Sequence, residues 1–187
     1  SFVVDQASAH NFVALSGGLV TEDPGFAGTK TSVGVVGGEL VLAGAGLISA
    51  IPLISGVRSI AYFGGVVESG TYDYATKMDL GSVKRHRLTN DVAARIFSAL
   101  DRITLREGDV STWARISSGV TGAEADSYLL VASTADDPAG APTWTDWQRL
   151  DSATFNCRGH KFRRVLETRD SSANVAISAD SVIAEGV

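Results

Sequence analysis

Glycines separate short apolar runs along the first third of the chain. The runs are rich in Val, Leu, Ile, Phe and Thr, as in residues 11–15 and 39–42, and single or paired glycines lie between them. Segments with high β-propensity that alternate with turn residues at this spacing are typical of a sandwich or a barrel. The pattern therefore predicts an all-β protein.

The later part of the chain continues this pattern with longer segments. The extended candidates are residues 82–89, 127–134, 161–168 and 174–183. In the last of these, Val175 and Ile177 alternate with the polar Asn174, Ser178 and Asp180. Such an alternation predicts a strand with one buried face and one solvated face.

Residues 90–105 fit two structures. Asn90 or Asp91 could cap a helix, and Val92, Ile96 and Leu100 roughly follow the helical period. The same residues also fit a long strand with a bulge. Periodicity alone leaves both structures open.

Composition excludes several classes of protein. The 187 residues include 16 Lys and Arg against 21 Asp and Glu, a net charge of −5. This mild acidity argues against the broad basic surface of a nucleic-acid-binding protein. With 44% hydrophobic and 20% charged residues, the chain is too apolar for wholesale disorder.

An uncharged stretch at residues 40–57 has the length of a membrane span. It contains Pro52 and three glycines, which interrupt a helix and are common between strands. We predict buried strands there and no stable membrane insertion. The chain opens on Ser-Phe-Val-Val-Asp without Met, which we interpret as a piece of a longer chain.

The single cysteine, Cys157, allows neither an intrachain disulfide nor a multi-cysteine zinc cage. His160 follows it by three positions, and on an extended strand this spacing places the two side chains on opposite faces. No two of His10, His86 and His160 have a spacing typical of metal ligands. The sequence therefore predicts no catalytic residue, no metal site and no cofactor.

Two short segments are weak candidates for contact with a partner or ligand. The basic cluster Lys84-Arg85-His86-Arg87 predicts a solvated strand face, and contact with an anionic partner through Lys84, Arg85 and Arg87 is the alternative. Trp144 could stack on a sugar ring, as could Trp147. Their spacing of three predicts opposite faces unless a turn intervenes, with at least one ring in the core.

Asp136 and Asp137 precede Pro138-Ala139-Gly140. Asp side chains commonly cap turns of this composition, so we predict a turn. Calcium binding and a role in glycoside hydrolysis are the alternatives.

Several motifs from residue 70 onward occur together in one known family. They are Gly70-Thr71-Tyr72, DLGSV at 79–83, Arg87-Leu88-Thr89, STADDPAGAPTW at 133–144, Trp147-Gln148, Arg158, Phe162-Arg163, Asp170, Asn174-Val175 and Ser178. In this order they resemble the β-sandwich segment of phage host-specificity proteins, the J-like tail tip attachment family. The resemblance covers residues 38–184, and its most specific element is T-x-DDPAG-x-PTW-x-x-WQ. The segments 106–125 and 156–161 depart from the family pattern.

The resemblance implies a jelly-roll-like, galactose-binding-like β-sandwich at 38–187, preceded by an unassigned β-rich extension at 1–37. It also tilts residues 90–105 towards a strand. It implies a non-catalytic structural component of a phage tail tip or central fibre, made in the bacterial cytoplasm and located in the virion. The expected partners are two further copies in a homotrimer, other tail proteins, and a bacterial receptor or glycan. A carbohydrate-binding module of a secreted or surface protein is the alternative.

Overall fold

A computed structural model describes residues 14–22, 25–44, 65–98, 125–150 and 154–187. Within these ranges the regular structure is entirely β-strand, so the predicted all-β class is confirmed. The sheet is antiparallel and nearly closed, as in a sandwich or barrel. The described residues contain no helix long and apolar enough to cross a membrane.

The described residues form ten strands. They are β1 (Ala14–Thr21), β2 (Thr29–Thr31), β3 (Val33–Val36), β4 (Glu39–Leu42), β5 (Ser69–Asp73), β6 (Met78–Ser98), β7 (Ala125–Thr134), β8 (Gln148–Arg149), β9 (Thr154–Thr168) and β10 (Ala173–Gly186). Their order in the sheet is β2-β5-β9-β6-β10-β4-β3. In addition, β1 pairs with β10, while β7 pairs with both β9 and β8.

The longest strand, β6, decides between helix and strand for residues 90–98. Its 21 residues pair first with β9 and then with β10, and the second pairing extends from His86 to Ser98. Because β10 supplies hydrogen-bond partners along this whole length, the extended structure is stabilised. This pairing outweighs the local preference for a helix that the spacing of the apolar residues indicates. Residues 99–105 lie outside the described residues.

The predicted division after residue 37 falls within a hairpin. Gly37 and Gly38 form the turn between β3 and β4, with φ of 61° and 86°. Before that turn, β1 pairs with β10 and β2 pairs with β5. The described residues before 38 therefore belong to the same sheet as those after it.

The prediction that Asn174 and Asp180 lie on a solvated face of β10 is wrong, whereas Ser178 is exposed as predicted. Asn174 and Asp180 are buried together with the apolar residues between which they lie. The Asn174 side-chain oxygen accepts from the backbone N–H of Leu42 at 3.0 Å, and its amide donates to the Leu42 carbonyl at 3.1 Å. Asp180 binds the Arg164 guanidinium. Polar residues can occupy both faces because the neighbouring strands provide specific partners.

Candidate functional site

Four polar side chains from three strands meet inside the sheet. His86 lies on β6, Ser133 on β7, and Cys157 and His160 on β9, and all four are buried. The two histidine Nε2 atoms are 2.6 Å apart, and Cys157 Sγ is 3.2 Å from His160 Nε2. Ser133 Oγ is 3.0 Å from His160 Nδ1. We call these four residues the His–Cys cluster.

The expectation that Cys157 and His160 face opposite sides of a strand is wrong. Phe155 and Cys157 are buried, and the inward positions then change phase to His160 and Phe162. Asp79 pairs with Gly159, and the next pair is Lys84 with Cys157. Five positions of β6 therefore lie opposite two positions of β9. The irregular pairing breaks the two-residue period, so both side chains reach the same interior.

Gly159 lies at the position where this phase change occurs. A Cβ built there would be 2.2 Å from Pro138 Cγ and 2.9 Å from the Met78 carbonyl oxygen. The ring of Pro138, from the Asp-Pro-Ala-Gly turn, therefore occupies the space that a side chain at 159 would need. The close approach of this turn to β9 requires glycine.

The donor and the acceptor of each hydrogen bond between these rings follow from one fixed bond, that of His86 to a carbonyl group. A carbonyl oxygen only accepts, so His86 Nδ1–H donates to the Lys84 carbonyl at 2.9 Å. In the neutral ring His86 Nε2 then accepts from His160 Nε2–H, which leaves His160 Nδ1 to accept from the Ser133 hydroxyl. Every ring nitrogen of the two histidines thus has a partner.

Burial keeps these groups uncharged near neutral pH. It lowers the pKa of His160 to about 3, with a further contribution from the neighbouring His86. Burial also lowers the pKa of His86 and raises the pKa of the Cys157 thiol. Because a reactive cysteine needs a lowered pKa, the cluster lacks the thiolate–imidazolium pair of a cysteine nucleophile. Neutral imidazoles are instead good metal ligands.

An open cleft of about 390 Å³ borders the cluster. Ser133 and Cys157 of the cluster line this cleft together with Phe155. Thr143, Thr145 and Asn156 add polar groups to the lining. The Phe155 and Phe162 rings flank His160, with centroids 4.9 and 6.0 Å from the imidazole. The cleft therefore leads from the surface towards the sulfur side of the cluster.

Sequence reasoning missed this site although it carried a local signal. Cys157 and His160 form a Cys-x-x-His pair, a short spacing that can supply two metal ligands from one segment. A regular strand would place the two side chains on opposite faces, so the spacing by itself does not indicate a shared site. No sequence spacing connects it to His86, since that contact depends on the pairing of β6 with β9.

His86 does not belong to a solvated face, contrary to the interpretation of the basic cluster. Its imidazole is fully buried, while Arg85 and Arg87 on either side are exposed and Lys84 is half-buried. Arg87 Nη2 lies 3.5 Å from the Glu185 carboxylate. Alternation along β6 thus separates the outward arginines from the inward imidazole.

Trp144 and Trp147 are half-buried, so the prediction that one of them fills the core is wrong. Lys161 Nζ lies 5.1 Å from the Trp144 ring centroid and 4.8 Å from that of Trp147. Lys77 approaches Trp144 at 5.7 Å, and Arg163 approaches Trp147 at 4.7 Å. Because residues 143–147 are not in a strand, the two-residue period does not apply and both rings lie beside Lys161.

The predicted Asp-Pro-Ala-Gly turn is confirmed. The Asp137 carboxylate accepts from the Ala139 N–H at 2.9 Å, and the Gly140 N–H donates to the Asp137 carbonyl at 3.0 Å. The Asp136 carboxylate accepts from the Thr143 N–H at 2.9 Å. Both aspartates therefore hold the loop in shape.

No protein-family model, no curated protein and no solved structure matches this chain.

Proposed function

We propose that this chain is a non-catalytic structural component of a phage tail tip or central fibre that contributes to host recognition. The proposal starts from the motifs quoted above, of which the segment from Thr134 to Gln148 is the most specific. It places the chain in the virion as a homotrimer in contact with other tail proteins.

The geometry of that segment is the observation that carries the proposal. The loop is fastened to β7 by two bonds, from the Thr145 N–H to the Ser133 carbonyl and from the Ser133 N–H to Thr145 Oγ1, each 2.9 Å long. At its end, Gln148 pairs with Val131 of β7. A loop held this firmly presents Trp144 and Trp147 in a constant arrangement, as a recognition surface requires.

The edge of the sheet supports self-association. Among the described strands, β3 stands at one end of the order, and its Val35 and Val36 are exposed. An edge strand offers unpaired backbone groups, and apolar side chains beside them favour contact with another chain. A second copy in a trimer would cover both features.

Labelling of particles tests the proposal. An antibody raised against the purified chain is expected to bind the tail end of particles of the phage that encodes it. It is also expected to slow the adsorption of those particles to host cells. The same antibody pre-absorbed with the chain serves as the control. Absence of the chain from every tail structure would contradict the proposal.

A carbohydrate-binding module is the second candidate, and one observation favours it. Both indole rings contact the same Lys161 ammonium group, so they lie close enough to contact one glycan. A glycan array is the discriminating measurement. Saturable binding that is lost in Trp144→Ala or Trp147→Ala but kept in Trp113→Ala, with all variants folded, would favour this candidate. Trp113 lies outside the described residues.

A further inference from the structure

We propose that His86, Cys157 and His160 form a zinc-binding site whose ligand atoms are the two imidazole Nε2 atoms and the cysteine Sγ. This inference does not depend on the proposed tail function. It concerns the His–Cys cluster alone.

Three donor atoms of the right kind converge in one buried place. The candidate ligand atoms all lie within 4.8 Å of one another. Imidazole nitrogen and thiolate sulfur are the ligands that zinc prefers, at roughly 2.0–2.1 Å and 2.3 Å. Tetrahedral angles then separate the ligand atoms by roughly 3.3–3.7 Å. The observed separations of 2.6 and 3.2 Å are shorter, so the rings move apart slightly to admit the ion.

The second nitrogen of each ring already lies within hydrogen-bond distance of an oxygen atom. His86 Nδ1 bonds the Lys84 carbonyl at 2.9 Å, and His160 Nδ1 lies 3.0 Å from Ser133 Oγ. Metal-bound histidines almost always donate their other N–H to an oxygen of this sort, which fixes the ring and its tautomer. Both Nε2 atoms are thereby directed at each other and at Cys157.

Zinc binding moves one proton within the cluster and releases another. In the metal-free cluster the proton on His160 Nε2 lies between the two rings. When zinc replaces it, His160 carries its proton on Nδ1 and donates it to Ser133 Oγ, so this hydroxyl changes from donor to acceptor. Cys157 binds as thiolate and releases its proton to solvent. One proton leaves per ion, and nothing is oxidised or reduced.

The cleft provides a route to the site and room for a fourth ligand. Cys157 and Ser133 line the cleft as well as the cluster. Zinc sites with three protein ligands commonly complete their coordination with water or a ligand from solution. The cluster supplies three ligands and borders open space on its sulfur side.

Cobalt substitution of the wild-type chain tests the inference directly. The 187-residue chain is stripped with chelator, titrated with Co²⁺ and then with Zn²⁺. Cys157 is the only cysteine, so a sulfur-to-cobalt charge-transfer band can come from no other residue. We expect this band to saturate at one Co²⁺ per chain and to disappear when Zn²⁺ is added.

Variants assign the ligands. Cys157→Ser is expected to abolish the charge-transfer band, and His86→Gln and His160→Gln are expected to weaken Zn²⁺ binding by more than about tenfold. Ser133→Ala, which removes an orienting oxygen, is expected to cost about tenfold. His10→Gln removes a histidine outside the described residues and serves as the matched control with unchanged binding. Circular dichroism establishes that each variant is folded.

Two results would overturn the inference. One is the absence of a thiolate-to-cobalt band in the wild-type chain with excess Co²⁺, a result that no variant's folding can affect. The other is Zn²⁺ binding of equal strength in the wild type and in folded Cys157→Ser.

Discussion

Arg164 of β9 and Asp180 of β10 form a bidentate ion pair inside the sheet, with side-chain exposures of 2% and 0%. Arg164 Nε donates to Asp180 Oδ2 at 2.9 Å, and Arg164 Nη2 donates to Oδ1 at 2.5 Å. Asn90 of β6 completes the group, since its side-chain oxygen accepts from Arg164 at 2.8 Å and its amide donates to Asp180 at 3.0 Å. Three long strands are thus joined by one polar network.

Arg164→Met is expected to destabilise the fold strongly. The substitution leaves the Asp180 carboxylate buried without its guanidinium, and loss of one member of a buried pair costs about 3–5 kcal/mol. Urea denaturation measures the free energy of unfolding.

Arg163→Met provides the matched control, because it changes the adjacent residue of the same type. Arg163 pairs with Asp73 where their side chains are 31% and 38% exposed, and such pairs contribute about 0–1 kcal/mol. Similar losses in the two variants would contradict the assigned role of burial.

Tyr72→Phe is expected to cost about 1–3 kcal/mol of unfolding free energy, because it removes a buried hydroxyl that has specific partners. The Tyr72 hydroxyl donates to the Glu22 carboxylate and accepts from the Gly28 N–H at 2.9 Å. Thermal or urea unfolding measures the loss. Tyr128→Phe is the control, since its partly exposed hydroxyl bonds Glu167 at 2.9 Å and its removal should cost less than about 1 kcal/mol. The reverse order of the two losses would refute this assignment.

Stability is expected to decline in alkaline solution. Burial and then the bond to Glu22 raise the pKa of Tyr72, and burial and then the charge of Asp180 raise the pKa of Tyr74. In the unfolded chain tyrosine ionises near pH ~10. The unfolded state therefore loses these protons first, so the stabilisation is complete below the unfolded pKa and is lost as pH rises above it.

Urea titrations between about pH 8 and about pH 11 measure this decline. The range brackets the pKa of tyrosine in the unfolded chain. Tyr74→Phe should make it shallower, because one of the shifted groups is gone. A wild-type stability that stays constant across this range would show that the two pKa values are not raised.

Gly159→Ala is expected to destabilise the protein by about 1–3 kcal/mol, because its Cβ overlaps Pro138 Cγ at 2.2 Å. Gly34→Ala is the control: Gly34 also lies in a strand, but no atom comes within 4 Å of a Cβ placed there. It should be neutral or stabilise by up to about 1 kcal/mol. Denaturation curves give the free energy of unfolding of both variants. Equal values would mean that the Pro138 ring moves aside at little cost.

Val36→Glu is expected to disrupt the proposed trimer, because it places a charge on the exposed edge strand β3. Light scattering coupled to size-exclusion chromatography measures the mass of the assembly. Val83→Glu is the control, since Val83 is similarly exposed, at 49% against 56% for Val36, but lies on the internal strand β6. A trimer that withstands Val36→Glu would remove β3 from the interface.

Local patterns were sufficient for much of the fold. The apolar run at 39–42 is β4, and the extended candidates at 127–134 and 161–168 lie within β7 and β9. The Asp-Pro-Ala-Gly turn has the predicted hydrogen bonds. Turn chemistry and β-propensity act between near neighbours in the chain, so they can be interpreted without knowledge of the partner strands.

The candidate site depended on contacts that no local pattern contains. Cys157 meets His160 because the pairing of β6 and β9 is irregular, and it meets His86 because β6 lies beside β9. The polarity of Asp180 predicts a position in solvent, yet Arg164 on β9 allows its burial.

By itself the sequence determined the all-β class, the glycine-punctuated strands and the turn at Asp136–Gly140. The tertiary structure alone decided which polar side chains are buried and which of them meet. The physical reason is that burying a charged or polar group is costly unless a partner satisfies it. For His86, Cys157, His160 and Asp180, those partners come from other strands or from an irregularity in strand pairing.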